Sequence, residues 1–464
     1  MLERETIGLL GLGVLFALLM LRVPVGLAMI AVGVGGNYAL SVVAPYLRFD
    51  PYLKQFKTLL WGTVANYDLS VVPLFILMGY LASHAGLSRD LFGGFNALLG
   101  RFRGGVAVAA VGACAGFGAV CGSSLATAST MGRVALPELE RLRYAPRLAA
   151  GTLAAGGTLG ILIPPSVALV IYAIIVEASI IEMFQAAVVP GLLAVAFFIA
   201  VIALQVRLKP ELAPEGAAMA PAERRAALRR LGPVLLIFGA IILGLGFGLF
   251  TPTPAAAVGA TAILVYGVAS RLRGRDDGLG WAGIRASLLD TAVTAGMIYF
   301  ILFGAEVLAG FFARAGLPAA LAAWTGGSGL DPWVLLVVML AILIVLGCFM
   351  DSLAMILVVV PFLWPALVDL NGGDHATAAT AAYGLGTDEL KLWFGIVALV
   401  VVELGLITPP VGLNVFIIAS LARNVSMGDV FAGVMPFFAV EIGRIALLLA
   451  VPALCLLVPR LLSG

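Results

Sequence analysis

Runs of apolar residues, many of them 17 or longer and free of charge, cover most of this 464-residue chain. A run of that length crosses the hydrocarbon core of a bilayer as a helix. Inside lipid only helices and closed barrels satisfy their own backbone. The chain is therefore expected to be an all-α polytopic membrane protein. Its composition agrees, with 62% hydrophobic and 11% charged residues, where soluble domains carry about 25% charge. A net charge of +2 leaves no electrostatic footprint for nucleic acid. Cys114, Cys121, Cys348 and Cys455 lie in apolar stretches without paired spacing and read as small buried hydrophobes. His84 and His375 are far apart in sequence, which argues against a His-based metal centre.

Candidate spans run at 6–21, 24–43, 67–84, 147–178, 185–206, 232–250, 253–270, 290–313, 392–422 and 430–458. Two more apolar stretches, 105–140 and 332–369, are interrupted midway by Gly, Ser and Asp. These are expected to be re-entrant hairpins. Met1–Glu5 precedes the first run with no cleavage site after it, so the first helix is expected to be retained. Segments 44–66 and 86–104 are mixed in character and fit interfacial helices, or loops packed on the helices. The 208–231 stretch reads as a cytoplasmic joint between two halves, and Thr251-Pro-Thr-Pro254 as a tight external turn.

Charge orients the map. With both termini outside and both hairpins returning without crossing, 18 of the 27 Lys and Arg residues fall on the cytoplasmic side. They include Arg22, Arg89, Arg141, Arg147, Arg224, Arg230, Arg275 and Arg423. The positive-inside bias then predicts ten crossings.

The chain repeats itself. Gly157-Thr-Leu-Gly-Ile-Leu-Ile-Pro-Pro-Ser166 matches Glu403-Leu-Gly-Leu-Ile-Thr-Pro-Pro-Val-Gly412, and each motif follows an interrupted hairpin. The first hairpin carries Phe117-Gly-Ala-Val-Cys-Gly-Ser-Ser-Leu-Ala-Thr-Ala-Ser-Thr-Met131, the second Leu346-Gly-Cys-Phe-Met-Asp-Ser-Leu-Ala-Met355. By the charge map the hairpins enter from opposite sides, so the repeats are inverted. That pattern marks a secondary transporter.

A Pro-Pro pair inside a span removes two backbone donors and frees carbonyls. Such groups are costly in lipid unless buried in protein or lining a cavity. One pair fits a structural kink, whereas two at equivalent places point to an ion or substrate site. Carbonyls of Leu162, Ile163, Ile407 and Thr408 are oxygen ligands suited to Na⁺, with Ser166, Thr408 and Asn414 able to complete the shell. Gly118, Gly122, Ser123, Ser124 and Thr127 form a hydroxyl-rich tip before a second half-helix, whose free amides suit a carboxylate or phosphate. Small-residue helix packing is the structural alternative. Asp351, beside Ser352, is costly at bilayer depth and fits either a cation ligand or a partner for exposed amides. Glu403 fits a cap or a pair near the second break. Glu441 and Arg444, three apart on one helix face, are expected to pair. Arg133 is expected to snorkel to the cytoplasm.

Together these motifs resemble the large membrane (M) subunit of tripartite ATP-independent periplasmic (TRAP) transporters. The carrying residues are 117–127, Met131-Gly-Arg-Val-Ala-Leu-Pro-Glu138, Gly160-Ile-Leu-Ile-Pro-Pro-Ser166 and Gly405-Leu-Ile-Thr-Pro-Pro-Val-Gly-Leu-Asn414. The likeness runs from about residue 5 to 458.

The resemblance implies a Na⁺-driven importer of organic acids in a bacterial or archaeal inner membrane, and not an enzyme. It implies two partners, a small four-helix membrane (Q) subunit and a periplasmic substrate-binding (P) protein. It also implies an inverted-repeat elevator fold with two hairpins and two broken helices. Carried onto this chain, residues 1–104 supply scaffold and arms, 105–185 the first half of a transport domain, and 186–331 more scaffold. Residues 332–426 supply the second half of the transport domain and 427–464 a last scaffold helix. One Na⁺ would lie between Gly122, Ser123 and the Ile163-Pro164-Pro165-Ser166 break. A second would lie between Asp351, Ser352 and the break containing Thr408, Pro409, Gly412 and Asn414. Ser123, Ser124, Thr127, Ser352 and Asn414 would face the substrate. The 208–231 and 370–390 segments look longer than the family's usual pattern. No N-terminal extension is long enough for a fused small subunit, so a separate chain is expected. A one-component Na⁺/carboxylate symporter of the same architecture is the alternative. An intramembrane hydrolase using Ser123 or Ser124 has only His84 as a base.

Overall fold

A computed structural model describes residues 4–462 except Arg22, Pro45, Ala217, Ala218, Ser328, Arg423 and Asn424. Arg22, Arg423 and Met1–Glu3, used above in the charge and terminus arguments, lie outside the described residues. Among those described, all regular structure is helical. Among the described residues, seven helices are long and apolar enough to cross a membrane, and two bent pairs raise this to nine. The bent pairs are Phe49–Val64 with Asp68–His84, at 55°, and Pro146–Leu162 with Val167–Ile175, at 46°. Helices Gly105–Cys121 and Pro332–Gly347 are shorter and apolar. Each is the leading arm of an expected hairpin, with the return arms at Ser124–Arg141 and Ser352–Asn371.

Both mixed segments are helical, at Phe49–Val64 and Leu87–Leu99, so the loop alternative fails. The second is buried by packing, with Leu91 and Phe95 against Gly116 and Gly112 of the first hairpin. Part of the joint is also helix. Residues from Pro221 run without a break into the span ending at Gly246.

The span expected at 430–458 divides into Met427–Ala450 and Ala453–Leu462. Pro452 supplies no N–H to the Leu448 carbonyl and pushes Val451 out of the helical region, to φ −131°, ψ 73°. The Leu448 carbonyl accepts instead from Trp393 Nε1 at 2.9 Å.

The chain forms two compact units. One comprises Met1–Ser70, Ala292–Ala341 and Leu353–Leu390. Inside it Arg314 donates to Asn37 Oδ1 at 2.8 Å, and Tyr52 donates to the Val307 carbonyl at 3.1 Å. The 372–386 loop is held by Asn371, which donates to the Leu385 carbonyl at 2.9 Å and accepts from the Tyr383 N–H at 3.2 Å.

The other unit comprises Val71–Thr291, Ile342–Ser352 and Lys391–Gly464. A polar clamp closes one end of it. Arg275 donates to Asp90 at 2.8 Å and to Asp277 at 2.9 Å, and Tyr266 donates to Asp90 at 2.7 Å. The Arg275 hydrogen bond holds the Asp277 carboxyl below its ordinary range. Deeper inside, Arg444 donates to Glu441 as expected, and to the Pro190 carbonyl at 3.1 Å. Both hairpin tips and both broken spans belong to this unit. The candidate site can therefore be followed within one body.

Candidate functional site

The first hairpin turns at Gly122, whose φ of +60° is a left-handed conformation that only glycine adopts freely. Its N–H closes the leading helix on the Gly118 carbonyl at 2.7 Å. A Cβ at Gly122 would stand 3.0 Å from the Val167 amide and 3.4 Å from Ser166 Cα. The tip thus lies against the first break. Ser123 is extended and caps the return helix, its hydroxyl accepting from the Ala126 amide at 3.4 Å. This satisfies one of the four orphan donors at a helix start. A Cβ at Gly160 would meet Thr127 Oγ1 at 2.6 Å and the Ser123 carbonyl at 2.9 Å. Ser123 and Thr127 are therefore packed directly on the first broken span.

At that break the chain is extended at Ile163 and again at Ser166. Both Pro-Pro peptide bonds, Pro164–Pro165 and Pro409–Pro410, are cis. A Cβ at Gly191 would meet the Leu162 carbonyl at 3.2 Å. Pro164 and Pro165 line an apolar cavity of about 260 Å³ with Phe184, Gln185 and Gly246.

The second hairpin meets the second break in the same manner. A Cβ at Gly405 would lie 2.7 Å from the Gly347 backbone. Cys348 Sγ donates to the Pro409 carbonyl at 3.4 Å. Thr408 donates its hydroxyl to the Leu404 carbonyl at 2.5 Å, closing its own turn. Gly412 has a φ of +58° and starts the helix Leu413–Leu421. Asp351 precedes the helix that Ser352 opens, the position Ser123 holds in the first hairpin.

Near the tips, two hydrogen-bonded junctions link the two halves. Ser124 donates to Glu403 Oε2 at 2.5 Å and Ser352 to Glu403 Oε1 at 2.6 Å. Glu403 is 1% exposed, so one buried carboxyl receives the return helices of both hairpins. Asn414 Nδ2 donates to the Ala154 carbonyl of the first broken span at 3.4 Å. Three buried oxygens beside these junctions, Thr127 Oγ1, Ser166 Oγ and Asn414 Oδ1, have no hydrogen-bond partner among the described residues. Buried polar atoms are ordinarily satisfied. Neutral oxygens are ligands suited to a hard cation.

Sequence reading placed the tips and breaks together but gave Glu403 too small a part and Cys348 none. The signal for Glu403 was its charge within an apolar run, six residues before Pro409. The base that the hydrolase alternative needs is not beside its serines among the described contacts: His84 Nδ1 meets the Tyr80 carbonyl and the Ser287 hydroxyl.

Residues 12–454 match the family described as tripartite ATP-independent periplasmic transporter, DctM component. The chain belongs to this family. It is 34% identical over 433 residues to the C4-dicarboxylate TRAP transporter large permease protein DctM of Pseudomonas aeruginosa, covering 92% of this chain and 94% of that one. It is 30% identical to the sialic acid TRAP transporter large permease protein SiaM of Vibrio cholerae, covering 87% and 88%. The isethionate TRAP transporter permease protein DctMQ of Oleidesulfovibrio alaskensis is 28% identical, covering 96% of this chain and 65% of that protein. The fold is that of the Alcanivorax borkumensis YdaH transporter, with a TM-score of 0.61 at 17% identity over 88% of this chain and 90% of that one. The family is one of transporter permeases. The chain is thus a multi-pass membrane permease subunit of a TRAP transporter.

Proposed function

We propose that this subunit carries small organic acids across the inner membrane by Na⁺ symport, using an elevator movement. The observation that carries the reading is the convergence of both hairpin tips on Glu403, inside the unit that holds both Pro-Pro breaks. The unpartnered Ser166 oxygen supports cation binding there, and those of Thr127 and Asn414 support a polar ligand beside it. Na⁺ is a co-substrate in this reading. One ion binds among Gly122, Ser123, Ile163, Pro164 and Ser166, a second among Asp351, Ser352, Thr408, Pro409 and Gly412. The substrate carboxylate then meets Ser123, Ser124, Thr127, Ser352 and Asn414, where two return helices begin and their free amides favour an anion.

Residues 105–185 and 332–426 form the moving transport domain in this account, and the remaining spans its support. A carboxylate alone is costly in a dehydrated domain, so only the empty or fully loaded domain crosses readily. The relatives' named substrates, C4-dicarboxylate, sialic acid and isethionate, support an organic anion. The tripartite family supports a separate small Q subunit and a periplasmic P protein as partners. Charge bias supports a periplasmic side for both termini.

The test is a set of single variants assayed in the reconstituted transporter. Ser123→Ala, Asp351→Ala, Pro164→Ala and Pro409→Ala should each lower Na⁺-dependent uptake at least several-fold. Unchanged uptake in all four discards the site.

A further inference from the structure

We infer that Glu403 is a positioning residue that couples the two hairpin tips, so that cation binding at one tip favours binding at the other. The inference rests on the two-cation reading above, but Glu403 belongs to neither proposed ion shell. Its contacts are specific. Oε2 accepts from Ser124 at 2.5 Å and Oε1 from Ser352 at 2.6 Å. Among the described residues no lysine, arginine or histidine pairs with it, and each oxygen is held by a hydroxyl from a different hairpin.

The placement of the two serines makes this a relay. Ser124 and Ser352 each open a return helix, and each follows the residue proposed to meet a cation, Ser123 and Asp351. A cation that fixes the Gly122–Ser123 turn against Ser166 also fixes the Ser124 hydroxyl. Once Ser124 holds Oε2, the rigid carboxyl plane sets the direction of Oε1 and hence the place where Ser352 is received. The same sequence runs in reverse from the second tip, as linkage requires. The equivalent position of the first repeat carries no carboxyl. Thr158, six residues before Pro164 as Glu403 is before Pro409, turns its hydroxyl onto the Ala155 carbonyl at 2.7 Å. One carboxyl therefore serves both halves.

The test is the Na⁺ dependence of uptake in the full transporter, reconstituted with its small membrane subunit and binding protein. Two coupled sites give the wild type a Hill coefficient approaching about 2. Glu403→Ala should lower it towards about 1 while uptake at saturating Na⁺ stays measurable. Glu403→Gln should recover part of the cooperativity, because an amide accepts from one serine and donates to the other. A purely structural role would lower maximal uptake and leave the Hill coefficient alone. If Glu403→Ala does not fold, Ser124→Ala replaces it, since Ser352 is itself a proposed ion ligand. It cuts one end of the tie, so its Hill coefficient should also fall towards about 1. A cooperative wild type matched by equally cooperative variants overturns the coupling and leaves the transport reading standing. A wild type that needs Na⁺ without cooperativity does the same. Uptake indifferent to Na⁺ removes the transport reading itself.

Discussion

The Ser124 hydroxyl lies 2.5 Å from a carboxyl oxygen of Glu403, 279 residues further along the chain. Ser124 opens the return arm of one hairpin, and Glu403 sits in the last turns of the helix that leads into the opposite break. Two halves that are separate in sequence are thereby fastened at one buried group. The further bond from Ser352 brings in the second hairpin.

Removing either hydroxyl should be costly to the fold. Each bond joins a buried carboxyl to a buried serine, and leaving one such group unsatisfied costs about 1–3 kcal/mol. Ser124→Ala and Ser352→Ala should each lower the unfolding midpoint of the purified chain. The two share a partner, so their effects should not add. Additive losses would show that the bonds act independently.

Gly122→Ala should disturb the first tip more than its one methyl implies. A left-handed conformation costs a non-glycine residue about 1–2 kcal/mol, and the new Cβ would stand 3.0 Å from the Val167 amide. The tip must then withdraw from the break. A several-fold higher Na⁺ concentration for half-maximal uptake is expected, and an unaltered Na⁺ curve would count against the first ion site.

The Asp90–Arg275–Asp277 clamp sets a pH limit. Asp277's carboxyl is held below its ordinary value of 3.8, so the stability it adds is complete above that value. It is lost only as pH falls through the lowered one. Arg275→Ala removes this dependence and leaves Asp90, 4% exposed, without its cation. The expected cost is about 3 kcal/mol at neutral pH, read from denaturant unfolding in parallel with the wild type.

Trp393→Phe tests the divided last span. The indole N–H is the donor that Pro452 cannot supply to the Leu448 carbonyl. Its loss should cost about 1–3 kcal/mol and speed amide exchange around residues 448–455. Unchanged exchange would mean that the carbonyl finds another partner.

Much of this architecture was legible in local chemistry. Apolar runs, paired prolines and glycine-rich tips act on their own backbone, so 105–140, 163–166 and 408–414 stood out in the chain alone. The Glu441–Arg444 pair was legible for the same reason, being three residues apart on one helix. The reading failed where the deciding partner is distant. Nothing near Glu403 announces Ser124. Pro452 was passed over because its apolar flanks outweighed the missing donor, and the Trp393 that compensates for it lies 55 residues upstream of Leu448. Ser123 was read as a ligand, although its position directly before an apolar helix also marks an N-cap.

The most direct test of the central claim is uptake of labelled organic acids into proteoliposomes. These would contain this chain and its small membrane subunit, with and without an inward Na⁺ gradient and the periplasmic binding protein. Uptake that requires both is the predicted result. Uptake with Na⁺ but no binding protein would place the chain with one-component symporters, and uptake unaffected by Na⁺ would contradict both proposed cation sites.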